Sequence, residues 1–131
     1  MTIAIGDSAE RTRTISDIDI AAFAAASGDE NPVHTDAAYA ATTRFGRPIA
    51  HGMLSASLVS AVLGNDLPGP GSIYLSQTLS FKAPVYAGDT IIARVECVRY
   101  REDKHIATFS TTVTNQDGVL VLEGEAVILA S

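Results

Sequence analysis

The sequence has little of what several kinds of protein site require. It contains one cysteine, Cys97, and no tryptophan in 131 residues. A single cysteine cannot form an internal disulfide, which is compatible with a reducing compartment. Nine Lys and Arg stand against fifteen Asp and Glu, so the formal net charge is −6, and no basic cluster is present. We therefore expect that the protein does not bind nucleic acid.

Long hydrophobic runs are also missing. No apolar stretch approaches the roughly 18 residues of a membrane span, and the opening MTIAIGDSAERTRT has no basic end that leads into an apolar run. We therefore expect no membrane span and no signal peptide, and we predict a cytoplasmic protein. Apolar residues nevertheless make up 47% of the chain. The length suits one domain, so residues 1–131 are predicted to fold as a single unit.

The first half of the chain predicts helices. Ser16 is a suitable N-cap for a helix that ends at Gly28. Residues 35–46 predict a second short helix. HGMLSASLVSAVLG, residues 51–64, predicts a third, with Gly64 and Asn65 stopping it. This third helix is apolar nearly all round, which favours a buried position.

The second half predicts strands. Four segments, 72–85, 90–100, 105–115 and 118–129, are rich in β-branched residues and show period-2 alternation. A sheet with one solvated face needs a cover on the other, and the buried helix can supply it. We therefore predict an α+β hot-dog fold, in which four or five strands form a curved antiparallel sheet around the long helix.

The stretch SGDENPVH, residues 27–34, gathers polar groups beside two residues that restrict the backbone. Pro32 fixes its own φ and limits Asn31, so Asp29 and His34 can be held toward one point. A carboxylate and an imidazole there can accept and donate a proton around one water. The alternative is that Asp29 and Asn31 only turn the loop. One histidine and a few carboxylates are an unusual set of ligands for zinc, so we predict no metal site.

A second polar stretch, IAHGML, lies where the buried helix begins. The first amides of a helix have no intrahelical partner, and this helix end carries partial positive charge. The Gly52 amide is thus a candidate donor to a carbonyl oxygen that gains negative charge. Gly52 also suits a tight turn with no chemical role. His51 is interpreted as a ligand contact or a residue that shapes this turn.

Together, these stretches resemble the MaoC-like hydratases, also called hydratase 2, of the hot-dog superfamily. The likeness continues through TTRFGRPIAHGMLSASLVSAVLG and LPGPGSIYLSQTLSFKAPVYAGD, over nearly the whole chain. The family motif is SGDxNPxH, and its fixed positions are Ser27, Gly28, Asp29, Asn31, Pro32 and His34.

The resemblance implies reversible hydration of a trans-2-enoyl-CoA to an (R)-3-hydroxyacyl-CoA, with supply of monomers for polyhydroxyalkanoate synthesis as one use. It implies no cofactor beyond the CoA of the substrate, and a homodimer. Asp29 and His34 would be the catalytic pair, and Gly52 the oxyanion donor. Asn31 would orient the loop or Asp29, and Ser60 would hydrogen-bond Asp29. His51 and Leu63 would line the substrate tunnel.

Three alternatives remain open at this point. A MaoC-type dehydratase of a branched or dicarboxylic acyl-CoA would carry the same motif. A hot-dog thioesterase would also need an acid and a helix amide, and a non-catalytic acyl-CoA binding module is the third. An anionic ligand would have to find local cations such as Arg44, Arg47, Lys82 or Lys104, although single surface arginines are often only solvated.

Overall fold

A computed structural model describes residues 2–130 of the chain. Short helices and one strand fill the first half, and five of the six strands follow the longest helix. In chain order the elements are β1 (Ser8–Thr14), α1 (Asp17–Ser27), α2 (Pro32–Thr35), α3 (Ala37–Ala40), α4 (Gly52–Asn65), β2 (Ile73–Gln77), β3 (Ser80–Phe81), β4 (Thr90–Arg101), β5 (Ile106–Thr114) and β6 (Leu120–Leu129).

The strands form one antiparallel sheet in the order β1-β4-β5-β6-β2, and β3 also pairs with β6. β4, β5 and β6 are the long central strands, and α4 packs against β4, β5 and β1. Buried and less buried positions alternate along β4 and β5 because one face of the sheet meets the helix. The predicted α+β hot-dog fold is confirmed.

The core lies between α4 and the sheet. Leu58, Val59, Val62 and Leu63 of α4 are buried, and the fully buried Phe109 of β5 belongs to the same apolar cluster. The predicted burial of this helix is thus confirmed for most of its surface. One stripe of α4 stays exposed, formed by Met53, Ser57, Ser60 and Gly64. The assignment of residues 1–131 to a single domain stays a prediction.

α4 ends at Asn65, where the sequence predicts its stop. Two other predicted boundaries are wrong. The helix over 35–46 is only the short α3, which Asp36 caps by accepting from the Tyr39 amide, and residues 41–46 form turns. A further short helix, α2, precedes it and is capped by Asn31. The strand over 72–85 is interrupted between β2 and β3. There Thr78 contacts β6 by donating its amide to the Glu125 carbonyl and accepting the Glu125 amide on its hydroxyl.

None of the helices between residues 2 and 130 combines the length and the apolar character that crossing a membrane requires.

Candidate active site

The loop after α1 holds the Asp29 carboxylate by main-chain contacts. Gly28 takes a left-handed conformation with φ 77°, which ends the helix and redirects the chain. The Asn31 amide then donates to Asp29 Oδ1 at 3.2 Å. The Asn31 side chain accepts from the Val33 amide and caps α2. The Asn31 side chain therefore caps α2, and its main-chain amide is the group that contacts the Asp29 carboxylate.

His34 is oriented by the segment that precedes α4. Its Nδ1 lies 2.7 Å from the Ile49 carbonyl oxygen. A carbonyl can only accept, so Nδ1 carries the proton in this bond, and Nε2 is the ring nitrogen left to exchange a proton. The ring is partly buried. The sequence brings the imidazole here because α2 is a single turn whose last residues face the chain at Ile49.

His51 lies against His34 and completes the cluster. The two rings stack with centroids 3.9 Å apart and an interplanar angle of 28°. His51 Nε2 donates to the main-chain carbonyl of Asp29 at 2.9 Å. A carboxylate oxygen of Asp29 and one ring nitrogen of each histidine all lie within 4.8 Å of one another. One water molecule can bridge a gap of this size between two polar groups.

A metal ion fits this cluster poorly, even though an acid and two histidines come together. Each histidine already uses one ring nitrogen on a backbone carbonyl. The two rings are stacked and nearly parallel, so the lone pairs of their other nitrogens do not converge on one point. The absence of a metal stays a prediction, and a chelator is expected to leave the protein unaffected.

Gly52 opens α4 beside these side chains. Among the described residues, its amide has no hydrogen-bond acceptor, whereas Leu54 and Ser55 donate to the His51 carbonyl. Gly52 lines a cavity of about 410 Å³ together with Asp29, His34 and His51. A helix N-terminus with a free amide stabilises negative charge on a nearby oxygen. The structure therefore brings Asp29, His34, His51 and Gly52 together around one cavity, and their proposed roles stay predictions.

Two other predicted residues lie elsewhere. Ser60 lines a separate, largely apolar cavity of about 510 Å³ between α4 and β2, together with Tyr74 and Leu75. Burial raises the pKa of the Tyr74 hydroxyl, in keeping with apolar surroundings. Leu63 is buried in the core and lines none of the cavities described here. The roles of Ser60 beside Asp29 and of Leu63 in a tunnel stay predictions.

Two aromatic residues at the site were missed. Phe81 lines the cavity of Asp29, and also a second cavity of about 350 Å³ that His34 lines as well. Phe23 contacts the His51 ring at a centroid distance of 4.9 Å. Phe81 reads as one more residue of an alternating strand, and Phe23 as part of the apolar face of α1. The sequence carries no signal that singles out either one.

The whole chain is similar to known proteins. The family model described as the MaoC like domain matches residues 3–119. This chain belongs to the MaoC-like domain family. The (R)-specific enoyl-CoA hydratase of Aeromonas caviae is 53% identical to this chain over 127 residues, which cover 97% of this chain and 95% of that protein.

Two further comparisons agree. The (R)-specific enoyl-CoA hydratase of Rhodospirillum rubrum is 52% identical, covering 95% of this chain and 85% of that protein. The solved structure of the (R)-hydratase from A. caviae, described as involved in PHA biosynthesis, superposes with a TM-score of 0.96. It covers 99% of this chain and 98% of that one, at 52% identity.

Proposed function

We propose that this MaoC-like domain is an (R)-specific enoyl-CoA hydratase, which adds water reversibly to trans-2-enoyl-CoA and forms (R)-3-hydroxyacyl-CoA. The observation that carries the proposal is the cluster of the Asp29 carboxylate, the His34 ring and the free Gly52 amide in one cavity. The identity of more than half to the (R)-specific hydratase of A. caviae supports the same substrate and stereochemistry.

Asp29 and His34 act on one water as a coupled pair. The water oxygen bonds to C3 of the enoyl thioester as the pair takes a proton from it, and the pair gives a proton to C2. His34 can take part through Nε2, since Nδ1 is bound to Ile49. The Asn31 amide keeps the Asp29 carboxylate in place. Because water is a poor nucleophile, this activation is what the reaction needs most.

Gly52 stabilises the charge that develops on the substrate. Attack at C3 shifts electrons toward the thioester oxygen before C2 is protonated. The Gly52 amide, free of any acceptor between residues 2 and 130, donates to that oxygen at the positive end of α4. Such a donor contributes about 3–4 kcal/mol to transition-state stabilisation where it is well placed.

The unpaired cations of the chain suit a CoA ligand. Five arginines form ion pairs with acids: Arg11, Arg13, Arg94, Arg99 and Arg101. Within residues 2–130, no acid pairs with the remaining basic residues, and Arg44 and Lys82 both line the cavity of His34 and Phe81. Arg47 lies close by, with its guanidinium 4.2 Å from the ring centroid of Tyr86. Positive charge concentrated here, in a protein of net charge −6, favours phosphate groups.

The apolar cavity between α4 and β2 suits the acyl chain. It shares Phe23 and Met53 with the cavity of Asp29, so a chain extending from the thioester passes from one cavity into the other. Its volume of about 510 Å³ accommodates short to medium acyl groups.

A homodimer in the cytoplasm is part of the proposal. β2 pairs only with β6 among the described strands, which leaves its other edge free. Ile73 and Leu75 on this strand are 56% and 50% exposed. An apolar free edge is suited to pairing with a second copy. Sedimentation at micromolar concentration tests this, since a monomeric species would contradict it.

The experiment that tests the function follows the enoyl-thioester absorbance after purified protein is added to crotonyl-CoA. The wild type is expected to consume the absorbance and yield (R)-3-hydroxybutyryl-CoA, identified with an (R)-specific dehydrogenase. Asp29→Asn and His34→Ala are expected to lower kcat by about 10²-fold or more, with folding retained by circular dichroism. Release of free thiol would identify a thioesterase instead, and no change with any enoyl-CoA would reject the hydratase.

A further inference from the structure

Two segments of the chain hold each other through reciprocal hydrogen bonds. His34, from the first segment, binds the carbonyl of Ile49 in the second at 2.7 Å. His51, from the second, binds the carbonyl of Asp29 in the first at 2.9 Å. The Ile49 amide also donates to the Val33 carbonyl at 3.2 Å. We call this arrangement of residues 29–34 and 49–51 the histidine clasp.

His51 is the buried member of the histidine clasp. It is 2% exposed, and its Nδ1 is buried with no hydrogen-bond partner among the described residues. Since Nε2 donates to a carbonyl, a neutral ring leaves an unpaired acceptor at Nδ1. An unpaired buried polar atom is unfavourable, and an aromatic ring without nitrogen would avoid it. Packing alone therefore does not account for a histidine here.

The contacts of His51 reach both groups of the proposed catalytic pair. Its Nε2 fixes the main chain of Asp29, whose side chain is otherwise exposed on a loop. Its ring stacks on His34 at 3.9 Å and limits the tilt of that imidazole. Phe23 contacts the His51 ring and restricts its movement. One buried side chain thus contacts the main chain of Asp29 and the ring of His34 together.

We propose that His51 is a positioning residue for the hydration, which sets the spacing between the Asp29 carboxylate and His34 Nε2. This inference rests on the proposed hydratase function. His51 does not itself exchange a proton with the substrate, because Nε2 is bound to the Asp29 carbonyl and Nδ1 is buried. Its effect is therefore on the chemical step more than on substrate binding.

Two variants separate the hydrogen bond from the ring. His51→Phe keeps a stacking ring and removes both the donor to Asp29 and the unpaired acceptor. His51→Gln keeps an N–H donor at a similar reach and removes the ring. For His51→Phe we expect kcat with crotonyl-CoA to fall by about 10²-fold, since displacement of a reacting group by about 1 Å has effects of this size. KM and the midpoint of thermal unfolding are expected to stay at the wild-type values.

His51→Gln is expected to recover at least about tenfold of the kcat lost in His51→Phe. The matched control is His105→Asn, which removes an exposed histidine from the turn between β4 and β5 and keeps a residue that tolerates the left-handed backbone there. The control is expected to have wild-type kcat and KM.

Several outcomes would overturn the inference. Wild-type kcat in His51→Phe would show that the Asp29 to His34 spacing does not depend on His51. A raised KM with unchanged kcat would make His51 a substrate contact. Equal losses in the Phe and Gln variants, with lowered unfolding midpoints in both, would leave only a structural role. A wild type without hydratase activity would reject the proposed function itself, so the two failures are distinct.

Discussion

The ring of Phe81 lies over Gly52, at the point where α4 begins. A β-carbon placed on Gly52 would be 2.7 Å from Phe81 Cε1 and 3.0 Å from Cδ1, closer than such atoms approach in proteins. The absence of a side chain at residue 52 is therefore what lets this aromatic ring close over the helix N-terminus. Phe81 comes from the two-residue strand β3, so the sheet contributes one wall to the cavity of Asp29.

Gly52→Ala is expected to displace the Phe81 ring and lower kcat/KM for crotonyl-CoA by about tenfold, through altered access to the helix amide. Phe81→Ala in the same chain removes the clash and is expected to restore part of the loss. Gly64→Ala is the matched control on the same helix, because a β-carbon there has no atom within 4 Å. It is expected to leave activity unchanged and to stabilise the protein by up to about 1 kcal/mol. An active Gly52→Ala with wild-type kinetics would contradict the expected displacement.

Arg44→Ala and Lys82→Ala test the proposed contacts with CoA. Each is expected to raise KM for crotonyl-CoA by about five- to tenfold, corresponding to about 1 kcal/mol, with little change in kcat. The N-acetylcysteamine thioester of crotonic acid lacks the phosphates, so its KM is expected to be the same for variants and wild type. Lys104→Ala provides a control, since Lys104 lies in the turn between β4 and β5. Equal effects on both thioesters would place these cations at the acyl end instead.

Gly124→Ala is expected to destabilise the protein by about 3 kcal/mol, as overpacking does. A β-carbon on Gly124 would lie 1.8 Å from the main-chain oxygen of Thr78, which cannot move without breaking its contacts with Glu125. Urea unfolding followed by circular dichroism measures the loss. A transition midpoint equal to that of the wild type would show that the segment between β2 and β3 is freely adjustable.

Asp19 links stability to pH at the start of α1. Its carboxylate binds Arg13 at 2.6 Å and completes a capping box with Ser16, and these contacts lower the pKa of Asp19 from 3.8 to about 2. Because the pKa is lower in the folded state, the stabilisation is complete above pH 4 and is lost as the pH falls toward 2. Asp19→Asn is expected to reduce the free energy of unfolding by about 1 kcal/mol at pH 7.

Denaturant titrations of wild type and Asp19→Asn between pH 2 and pH 7 check this prediction. The difference between the two proteins is expected to shrink steadily below pH 4. A difference that stays constant down to pH 2 would show that the carboxylate charge does not contribute.

The sequence was sufficient for the fold because its periodicities are simple. β4 and β5 alternate plainly, and α4 combines apolar residues on most of its faces, so a buried helix against an antiparallel sheet follows from pattern alone. Local chemistry was equally informative at residues 27–34, where Gly28 and Pro32 restrict the backbone. The helix predicted over 35–46 ends early at Ala40, where the Thr42 and Thr43 hydroxyls donate to main-chain carbonyls and favour turns over helix.

The contacts that complete the site could not be predicted from local pattern. Phe81 meets Gly52, and His34 meets His51, only because the fold brings distant segments together. The motif around Asp29 does not indicate that the carbonyl of Asp29, and not only its carboxylate, is a binding group. The contact of Ser60 with Asp29, which the family resemblance implies, stays a prediction, and Ser60 lines the cavity beside β2.

The proposed reacting groups and part of the proposed acyl-chain cavity lie in different segments of the chain, which affects how substrate preference can change among relatives. The groups proposed for proton transfer and charge stabilisation all lie between Asp29 and Gly52, whereas Tyr74 and Leu75, in the cavity proposed for the acyl chain, belong to an edge strand. Substitutions on that strand can therefore change the length of the acyl chain that the cavity accepts without changing the groups proposed for the reaction. An exchange of β2 between relatives would replace one wall of that cavity, opposite the wall that α4 provides, and leave residues 29–52 unchanged.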